Sequence, residues 1–487
     1  MEIFLIGHDY KYAAEQSLLC LYPQERPVYP ETPSGADSVT LTLRRGAQYA
    51  VCVCRLFRAG RHSRGEARVR LSLLTDKVAE DRYLQRAVKQ AFFKAAVNGG
   101  HPLPVWGSLT GVRPGKLFLS LLSEGQSERQ AARTFRREFS VSPERTELVR
   151  RTSRAALRAR DSLEERDVCL YLGIPFCPTR CAYCSFVSVE AARSLKLLPD
   201  YLAAQEREME AVARAVEEAG VRVVSVYVGG GTPTTLSAEQ LRRLCAQVRS
   251  RFDLSHCREF TVEAGRPDTV TEEKLLALRE QQVSRLSVNP QTMSDAVLSA
   301  IGRQHSVEDV LRAMALVRKV GGFEVNMDLI AGLPGDDAEQ FSASVRALLE
   351  LRPENITVHT LALKKGSRFT TEGAELPGAA EVGRMLDGAN ALLASHGFEP
   401  YYLYRQKFMS GSFENVGWSL PGRGNLYNIC IMEELCGILS VGAGGSTKLV
   451  REGSVERLIA PKYPREYTER IDAVCGSKAK IVDFYRR

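Results

Sequence analysis

The chain has 487 residues, 44% of them hydrophobic and 25% charged, with a net charge of +8; this is ordinary globular material, long enough for two or three domains. No apolar run approaches the roughly eighteen residues of a membrane span, no basic leader precedes the short apolar stretch of Met1 to His8, and twelve cysteines scattered through so long a chain are not a disulfide framework. A reducing, cytoplasmic setting is expected. The charge is uneven: residues 1 to 160 carry 27 Lys and Arg against 15 Asp and Glu, a balance of +12 that leaves −4 for the remainder. A basic front third attracts polyanions or a carboxylate-rich substrate, unless it is simply a solvated face.

In chain order, residues 1 to 75 contain alternating apolar stretches, Ser38 to Arg45 and Tyr49 to Phe57, between turn-rich segments. Period-two alternation predicts a small antiparallel sheet. From Lys77 to about Arg160 the period becomes helical, interrupted at Asn98-Gly-Gly-His-Pro-Leu-Pro104 and Gly111-Val-Arg-Pro-Gly115. The expected first domain is therefore α+β and spans 1–165. Short apolar strands then alternate with amphipathic helices: Val168 to Gly173, Val223 to Val228, Glu259 to Glu263, Arg285 to Val288, Glu324 to Ile330 and Asn355 to Leu361. Helix starts are marked by Ser237-Ala-Glu-Gln240 and Ser306-Val-Glu-Asp309, and Gly321-Gly322 follows a helix end. Parallel strands need such crossovers. The fold class is thus α/β, with six βα units over 166–370, too few for a closed eight-unit barrel. A mainly helical, glycine-rich C-terminal region covers 371–487.

Cys177, Cys181 and Cys184 lie in Tyr171-Leu-Gly-Ile-Pro-Phe-Cys-Pro-Thr-Arg-Cys-Ala-Tyr-Cys184 at the end of the first of these strands. Thiolates so close in sequence can surround one soft metal centre, and three of them suit a cubane cluster whose fourth iron stays open for chemistry. Structural zinc needs a fourth ligand, for which the segment offers Cys169, eight residues upstream; three unrelated buried thiols are the plain alternative. Cys20, Cys245, Cys257, Cys430, Cys436 and Cys475 read as small core residues.

Polar groups are delivered to the same strand ends. Gly229-Gly-Gly-Thr-Pro233 follows the second strand, where absent side chains let a ligand approach the backbone, a tight turn being the plain alternative. Glu263 ends the third strand, Gln291 follows the fourth, and Asp328 interrupts the apolar fifth. A charge inside an apolar strand must be paired, hydrogen-bonded or in contact with a ligand.

The C-x3-C-x2-C spacing, with Tyr183 before the last cysteine, resembles that of the radical S-adenosylmethionine superfamily. This implies a partial (β/α)6 barrel, a [4Fe–4S] cluster held by Cys177, Cys181 and Cys184, and S-adenosylmethionine on the fourth iron, cleaved to a 5′-deoxyadenosyl radical. Tyr-x-x-Ile-Pro-Phe-Cys, Gly-Gly-Gly-Thr-Pro-Thr, Thr-Val-Glu-Ala, Pro-Gln-Thr-Met and Met-Asp-Leu-Ile-Ala-Gly-Leu-Pro-Gly together resemble the oxygen-independent coproporphyrinogen III oxidase family. The variants Glu-Ala-Gly-Arg-Pro-Asp and Asn-Pro-Gln-Thr-Met are most similar to its HemZ branch. By that resemblance Tyr171, Tyr183, Gly230, Gly231, Thr232, Glu263, Gln291, Arg303, Asp328 and Ala362 hold S-adenosylmethionine. The implied reaction converts two propionates of coproporphyrinogen III to vinyls, giving protoporphyrinogen IX, with electrons from a donor such as flavodoxin or ferredoxin. No catalytic side chain is singled out. Leu363-Lys-Lys-Gly-Ser-Arg368 is a basic segment placed to meet propionates or to lie solvated.

Two motifs depart from the family pattern. The oxidases carry a further cysteine where this chain has Phe186, as the haem-chaperone branch lacks it too. That branch has His-Asn-x-x-Tyr-Trp, whose nearest counterpart here is Glu414-Asn-Val-Gly-Trp418, and a carboxylate is a poor axial haem ligand. A cluster-containing haem chaperone and a radical enzyme acting on RNA through the basic first domain are the alternatives. Asn425 to Glu434 and Gly442 to Lys448 are expected either to close the substrate side or to be structural.

Overall fold

Alternation in Val39-Thr-Leu-Thr-Leu43 and Ala50-Val-Cys-Val-Cys-Arg-Leu56 buries every second side chain, as a sheet with one covered face requires. The strands are β1 (Glu2–Ile6), β2 (Ser38–Arg45), β3 (Tyr49–Arg58) and β4 (Arg61–Arg70), paired in that order, with β1 parallel to β2 and the rest antiparallel. Helices α1 (Lys11–Leu21) and α2 (Lys77–Asn98) pack on the apolar face around Val39, Leu41, Cys52, Cys54, Val88 and Phe92. Asp76 caps α2 by accepting from the Ala79 amide. Then come α3 (Pro114–Ser123), α4 (Glu128–Glu138) and α5 (Pro143–Asp161). This computed structural model describes every residue except 33, 185–188, 191–194, 364–366, 370–372, 407–409, 452–453 and 487. Phe186, Lys364, Lys365 and Gly366 lie outside the described residues.

The chain packs as two compact units, Met1–Arg150 with Arg405–Phe413, and Arg151–Tyr404 with Glu414–Arg487. The first unit takes in Arg405 from far along the chain; its guanidinium donates to the Leu109 carbonyl at 2.5 Å and lies 5.0 Å from the Trp106 ring.

The second unit is built on β5 (Asp167–Ile174), followed by a small parallel pair, β6 (Phe176–Cys177) and β7 (Val189–Glu190). Its main sheet continues with β8 (Arg222–Gly230), β9 (Glu259–Glu263), β10 (Arg285–Ser287), β11 (Glu324–Ala331) and β12 (Asn355–Thr360). These are the six strands expected, parallel and in the order β5-β8-β9-β10-β11-β12. Capping boxes form at Ser237–Gln240 and Ser306–Asp309, so the helix starts are also as read. Beyond β12 lie β13 (Glu399–Arg405) and β14 (Glu414–Ser419), with β14 antiparallel to β12; beyond β5 lie β15 (Gly437–Val441), parallel to it, then β16 (Ser446–Arg451) and β17 (Ser454–Ile459). The eleven strands form an open sheet, with β13 and β17 at its two ends.

The C-terminal region ends in three short helices, Pro464–Glu469, Ile471–Gly476 and Ala479–Arg486. Five strands precede them. Gly437-Ile-Leu-Ser-Val441 is too short an apolar run for its period to separate a buried strand from helix. Glu208, fully buried, ties these helices down by accepting from Tyr467 at 2.5 Å and from the Gly442 amide at 2.7 Å beside Lys478 at 2.6 Å. Among the described residues, no helix is long and apolar enough to cross a membrane.

Candidate active site at the strand ends

The three-cysteine loop leaves the sheet directly from β5. Cys177, Cys181 and Cys184 are half-buried, and a turn closes between the last two through the Cys184 amide and the Cys181 carbonyl at 3.1 Å. Neighbours hold the loop from several sides. The Ala182 amide donates to the Ile301 carbonyl at 3.0 Å, and the Ala182 carbonyl accepts from the Arg368 amide at 2.9 Å. Arg266, 2% exposed, grips Asp268 through Nε and Nη2 at 3.0 and 3.2 Å while its Nη1 reaches the Thr179 hydroxyl at 2.9 Å. In the sequence Arg266 is one member of the motif Glu-Ala-Gly-Arg-Pro-Asp; the structure makes it a tether of the loop.

The glycine turn after β8 packs on the same segment. The Gly231 amide donates to the Ile174 carbonyl and the Thr232 amide to the Phe176 carbonyl, both at 2.8 Å, and the Thr232 hydroxyl lies 3.5 Å from the Cys177 sulfur. A Cβ on Gly231 would come within 2.6 Å of the Phe176 carbonyl oxygen. Gly230, at φ 110°, turns the chain above the Tyr171 hydroxyl. Glycine is therefore required here by backbone approaching backbone.

Register places the remaining groups. Tyr171, Tyr227 and Thr261 are aligned across β5, β8 and β9, and Glu263, Ser287 and Asn326 across β9, β10 and β11. The Tyr227 hydroxyl donates to Glu263 at 2.6 Å. Burial pushes the Glu263 carboxyl up to about 7, opposed by the Tyr227 hydrogen bond and reinforced by the charge of Asp328. Asp328 accepts from the Asn326 amide at 2.7 Å and lies 3.7 Å from His359 Nε2. Gln291, at φ 73°, is stitched to β11 by its amide to the Asp328 carbonyl and its carbonyl from the Ile330 amide, both at 2.9 Å. Its side-chain oxygen is buried without a partner.

Arg303, 8% exposed, donates to the Tyr183 hydroxyl at 2.9 Å and to the Gly265 carbonyl at 3.1 Å, leaving Nε buried and unpaired. Burial works against its charge, but the Tyr183 phenol and the Cys181 thiol beside it hold the guanidinium protonated. His305 is held down to about 4 by burial and by Arg303 and Arg266. Ala362 is half-buried just past β12. An open cavity of about 510 Å³ adjoins the loop, lined in part by Thr179, Arg180, Arg303, His305 and Arg368.

Cys169 does not serve the loop as a fourth ligand. It lies on β5 with its sulfur 3.7 Å from that of Cys436. Among the described residues, the ligand atoms all within 4.8 Å of one another are those of Cys169, Cys430 and Cys436. These sulfurs pack with Val224, Tyr427 and Ile438 as part of the core, which corrects the zinc alternative built on Cys169. The helix Leu426–Glu433 brings Tyr427 into a ring stack with Tyr227 at 4.4 Å and Tyr171 at 6.1 Å. Its first amides, Leu426 and Tyr427, donate to Glu259 at 3.1 and 2.8 Å. Glu259 begins β9, so the start of this helix lies at the opening end of that strand while Tyr427 reaches the rings of Tyr171 and Tyr227.

A profile of the radical SAM superfamily matches residues 171–348. The oxygen-independent coproporphyrinogen-III oxidase-like protein HemZ of Bacillus subtilis is 40% identical over 78% of this chain and 77% of its own length. The chain belongs to this family of radical SAM enzymes. The heme chaperone HemW of Lactococcus lactis is 30% identical over 57% of this chain and 68% of its own length. The solved coproporphyrinogen III oxidase HemN of Escherichia coli, at 24% identity, covers 66% of this chain and 72% of its own with a TM-score of 0.53, which shows a shared fold.

The family takes a [4Fe–4S] cluster and S-adenosylmethionine. The residues present fit both. Three thiols on one tethered loop suit a cluster with an open iron, and the unpaired Gln291 oxygen and Arg303 Nε are buried polar atoms that need a partner. Sequence reasoning missed Tyr227, Tyr427, Arg266 and His359. For Tyr227 and His359 the signal was period two: Tyr227 pairs with Tyr171 in register, and His359 follows Thr357 on the face that bears Asp328.

Proposed function

We propose that the chain catalyses the oxygen-independent oxidative decarboxylation of coproporphyrinogen III to protoporphyrinogen IX. What carries this proposal is the convergence of Glu263, Gln291, Arg303 and Asp328 beside the three-thiol loop, with two buried polar atoms lacking partners. Cys177, Cys181 and Cys184 would hold the cluster. Tyr171, Tyr183, Gly230, Gly231, Thr232, Glu263, Gln291, Arg303, Asp328 and Ala362 would hold S-adenosylmethionine, and when bound the pair supplies one-electron cleavage and hydrogen abstraction from an unactivated carbon.

The chain's own part is to bind, orient and exclude water. Arg303 offers its remaining N–H to a carboxylate. Glu263 and Asp328 accept from ammonium or hydroxyl groups. Arg180 and Arg368 on the cavity beside the loop would meet propionates, which are anions that need forked cations. Flavodoxin or ferredoxin would deliver the electrons, and twelve cysteines scattered through so long a chain suit the reducing cytoplasm.

Anaerobically reconstituted protein given reductant, S-adenosylmethionine and coproporphyrinogen III should release 5′-deoxyadenosine and protoporphyrinogen IX together. Deoxyadenosine without the tetrapyrrole product would mean a different substrate. A haem-chaperone role is favoured by the HemW likeness and by Phe186. Against it, Glu414 and Asn415 are buried in β14, where the Glu414 carbonyl accepts from the Thr360 hydroxyl at 2.7 Å and the Asn415 side chain from the Thr360 amide at 2.8 Å. Haem titration followed by absorbance separates the two: a stoichiometric complex supports the chaperone, and none supports the dehydrogenase.

A further inference from the structure

The first unit leaves one side of its sheet uncovered. α2 lies so close against the other side that a Cβ on Gly65 would come 2.2 Å from the Ala91 carbonyl oxygen, and alternate residues of β2, β3 and β4 are buried there. The intervening residues face outward in rows set by strand pairing. Tyr49 lies beside Arg70; the next rows are Arg44, Val51, Arg68; then Thr42, Val53, Glu66; then Thr40, Arg55, Arg64; and finally Ser38, Phe57, His62. Arg44, Arg55, Arg64, Arg68 and Arg70 are exposed, while Tyr49, Val51, Val53 and Phe57 lie half-buried among them. The Phe57 ring is 4.7 Å from that of His62.

The carboxylates on this face are already engaged. Glu66 is shared by Arg64 at 2.6 Å and Arg68 at 2.7 Å, and Glu2 at the far edge receives the Ser34 hydroxyl at 2.5 Å. Five guanidinium groups thus share this face with two acids, of which Glu66 is ion-paired and Glu2 hydrogen-bonded at the edge, and the middle of the face is aromatic and apolar. A face kept only for hydration gains nothing from Tyr49, Val51, Val53 and Phe57 at its centre. An acidic protein surface would match the arginines but not the rings between them.

We propose that this face binds a single-stranded polynucleotide, with phosphates on the arginines and bases on Tyr49 and the Phe57–His62 pair. Unpaired bases present flat π-faces that stack on aromatic side chains whatever their sequence, and the backbone supplies the anions. A duplex hides those faces, so it should bind more weakly. The site lies wholly within the first unit and is independent of the reaction proposed above.

Fluorescence anisotropy of full-length protein with 5′-labelled 15-mers tests it, using oligo(U), oligo(dT), the same length of duplex RNA and a labelled poly-glutamate peptide. The expected result is saturable binding of single strands over duplex and peptide. With four phosphates engaged, affinity should fall about fifty-fold between 50 and 200 mM salt. RNA against DNA identifies the source of the strand. Arg55→Glu with Arg70→Glu should abolish binding, whereas Arg136→Glu with Arg137→Glu on α4 should leave it within about twofold, because both pairs change the charge equally. Tyr49→Ala, which keeps every charge, should weaken binding about fivefold or more. Peptide binding without oligonucleotide binding, equal loss in both arginine pairs, or an unchanged Tyr49→Ala affinity each overturns the proposal.

Discussion

Replacing Gly231 by alanine should cost the protein its cluster rather than merely some stability. The new Cβ would lie 2.6 Å from the Phe176 carbonyl oxygen and 2.9 Å from that of Ile174, both backbone atoms. Ordinary contact begins near 3.4 Å, so the two segments must part by about 0.8 Å. The hydrogen bonds from Gly231 and Thr232 to those same carbonyls are each 2.8 Å, and such a shift takes both beyond useful length. Two bonds at about 1 kcal/mol each, with about 1 kcal/mol or more of overpacking, put the cost near 3 kcal/mol. Phe176 is bonded to Cys177, and a binding constellation must be held within about 0.5 Å of its productive geometry. Iron and sulfide per chain after anaerobic reconstitution, with the urea midpoint measured alongside, are the assays. Gly476→Ala, where an added Cβ meets nothing within 4 Å, is the control and should be neutral. A Gly231→Ala protein with full iron content and an unshifted midpoint would refute the close-approach account.

Burial of Glu263 predicts a pH signature in the cofactor-free protein. Its folded-state value, about 7, stands above the ordinary 4.5, so its contribution is complete below 4.5 and is lost as pH rises through 7. The shift corresponds to about 3 kcal/mol, discounted to about 2 for the part of the side chain that water still reaches. Urea unfolding at pH 8 should find Glu263→Gln more stable than wild type by that amount, and equal stabilities would count against the burial. Arg303→Lys cannot hold Tyr183 and Gly265 with one planar fork; S-adenosylmethionine affinity of the reconstituted protein, by equilibrium dialysis, should fall about tenfold or more. Thiol titration of cluster-free protein under native conditions should leave Cys52, Cys54, Cys169, Cys245, Cys430 and Cys436 unreacted until urea is added, since all six are buried. Reaction of any of them at the rate of Cys20 would contradict the packing.

The six parallel strands and their helices were legible because period, capping boxes and turn glycines agree at every step from Val168 to Leu361. The flanking strands were not. β15 is a short apolar run and β16 a mixed polar stretch, both beside a glycine-rich turn, and nothing local shows that Ile438 pairs with Cys169. The site divides in the same way. Groups at strand ends, such as Glu263 and Asp328, stand out as charges within apolar runs, whereas Tyr227 and Tyr427 are aromatic residues in apolar company and become site neighbours only through strand register and helix packing. The glycines show a different shortfall: their spacing marked a close approach but could not say that the approaching body is the chain itself.

That β15 lies against β5 has a consequence for synthesis. Cys169 waits for a neighbour 267 positions later, so at about 5 to 20 residues per second a nascent chain leaves one flank of its first parallel strand open for roughly 13 to 50 seconds. During that interval unmatched amides and carbonyls are available to any other extended segment. A ribosome-bound intermediate halted before residue 437 should therefore be the species that chaperones hold, and release of the last fifty residues the event that ends their hold.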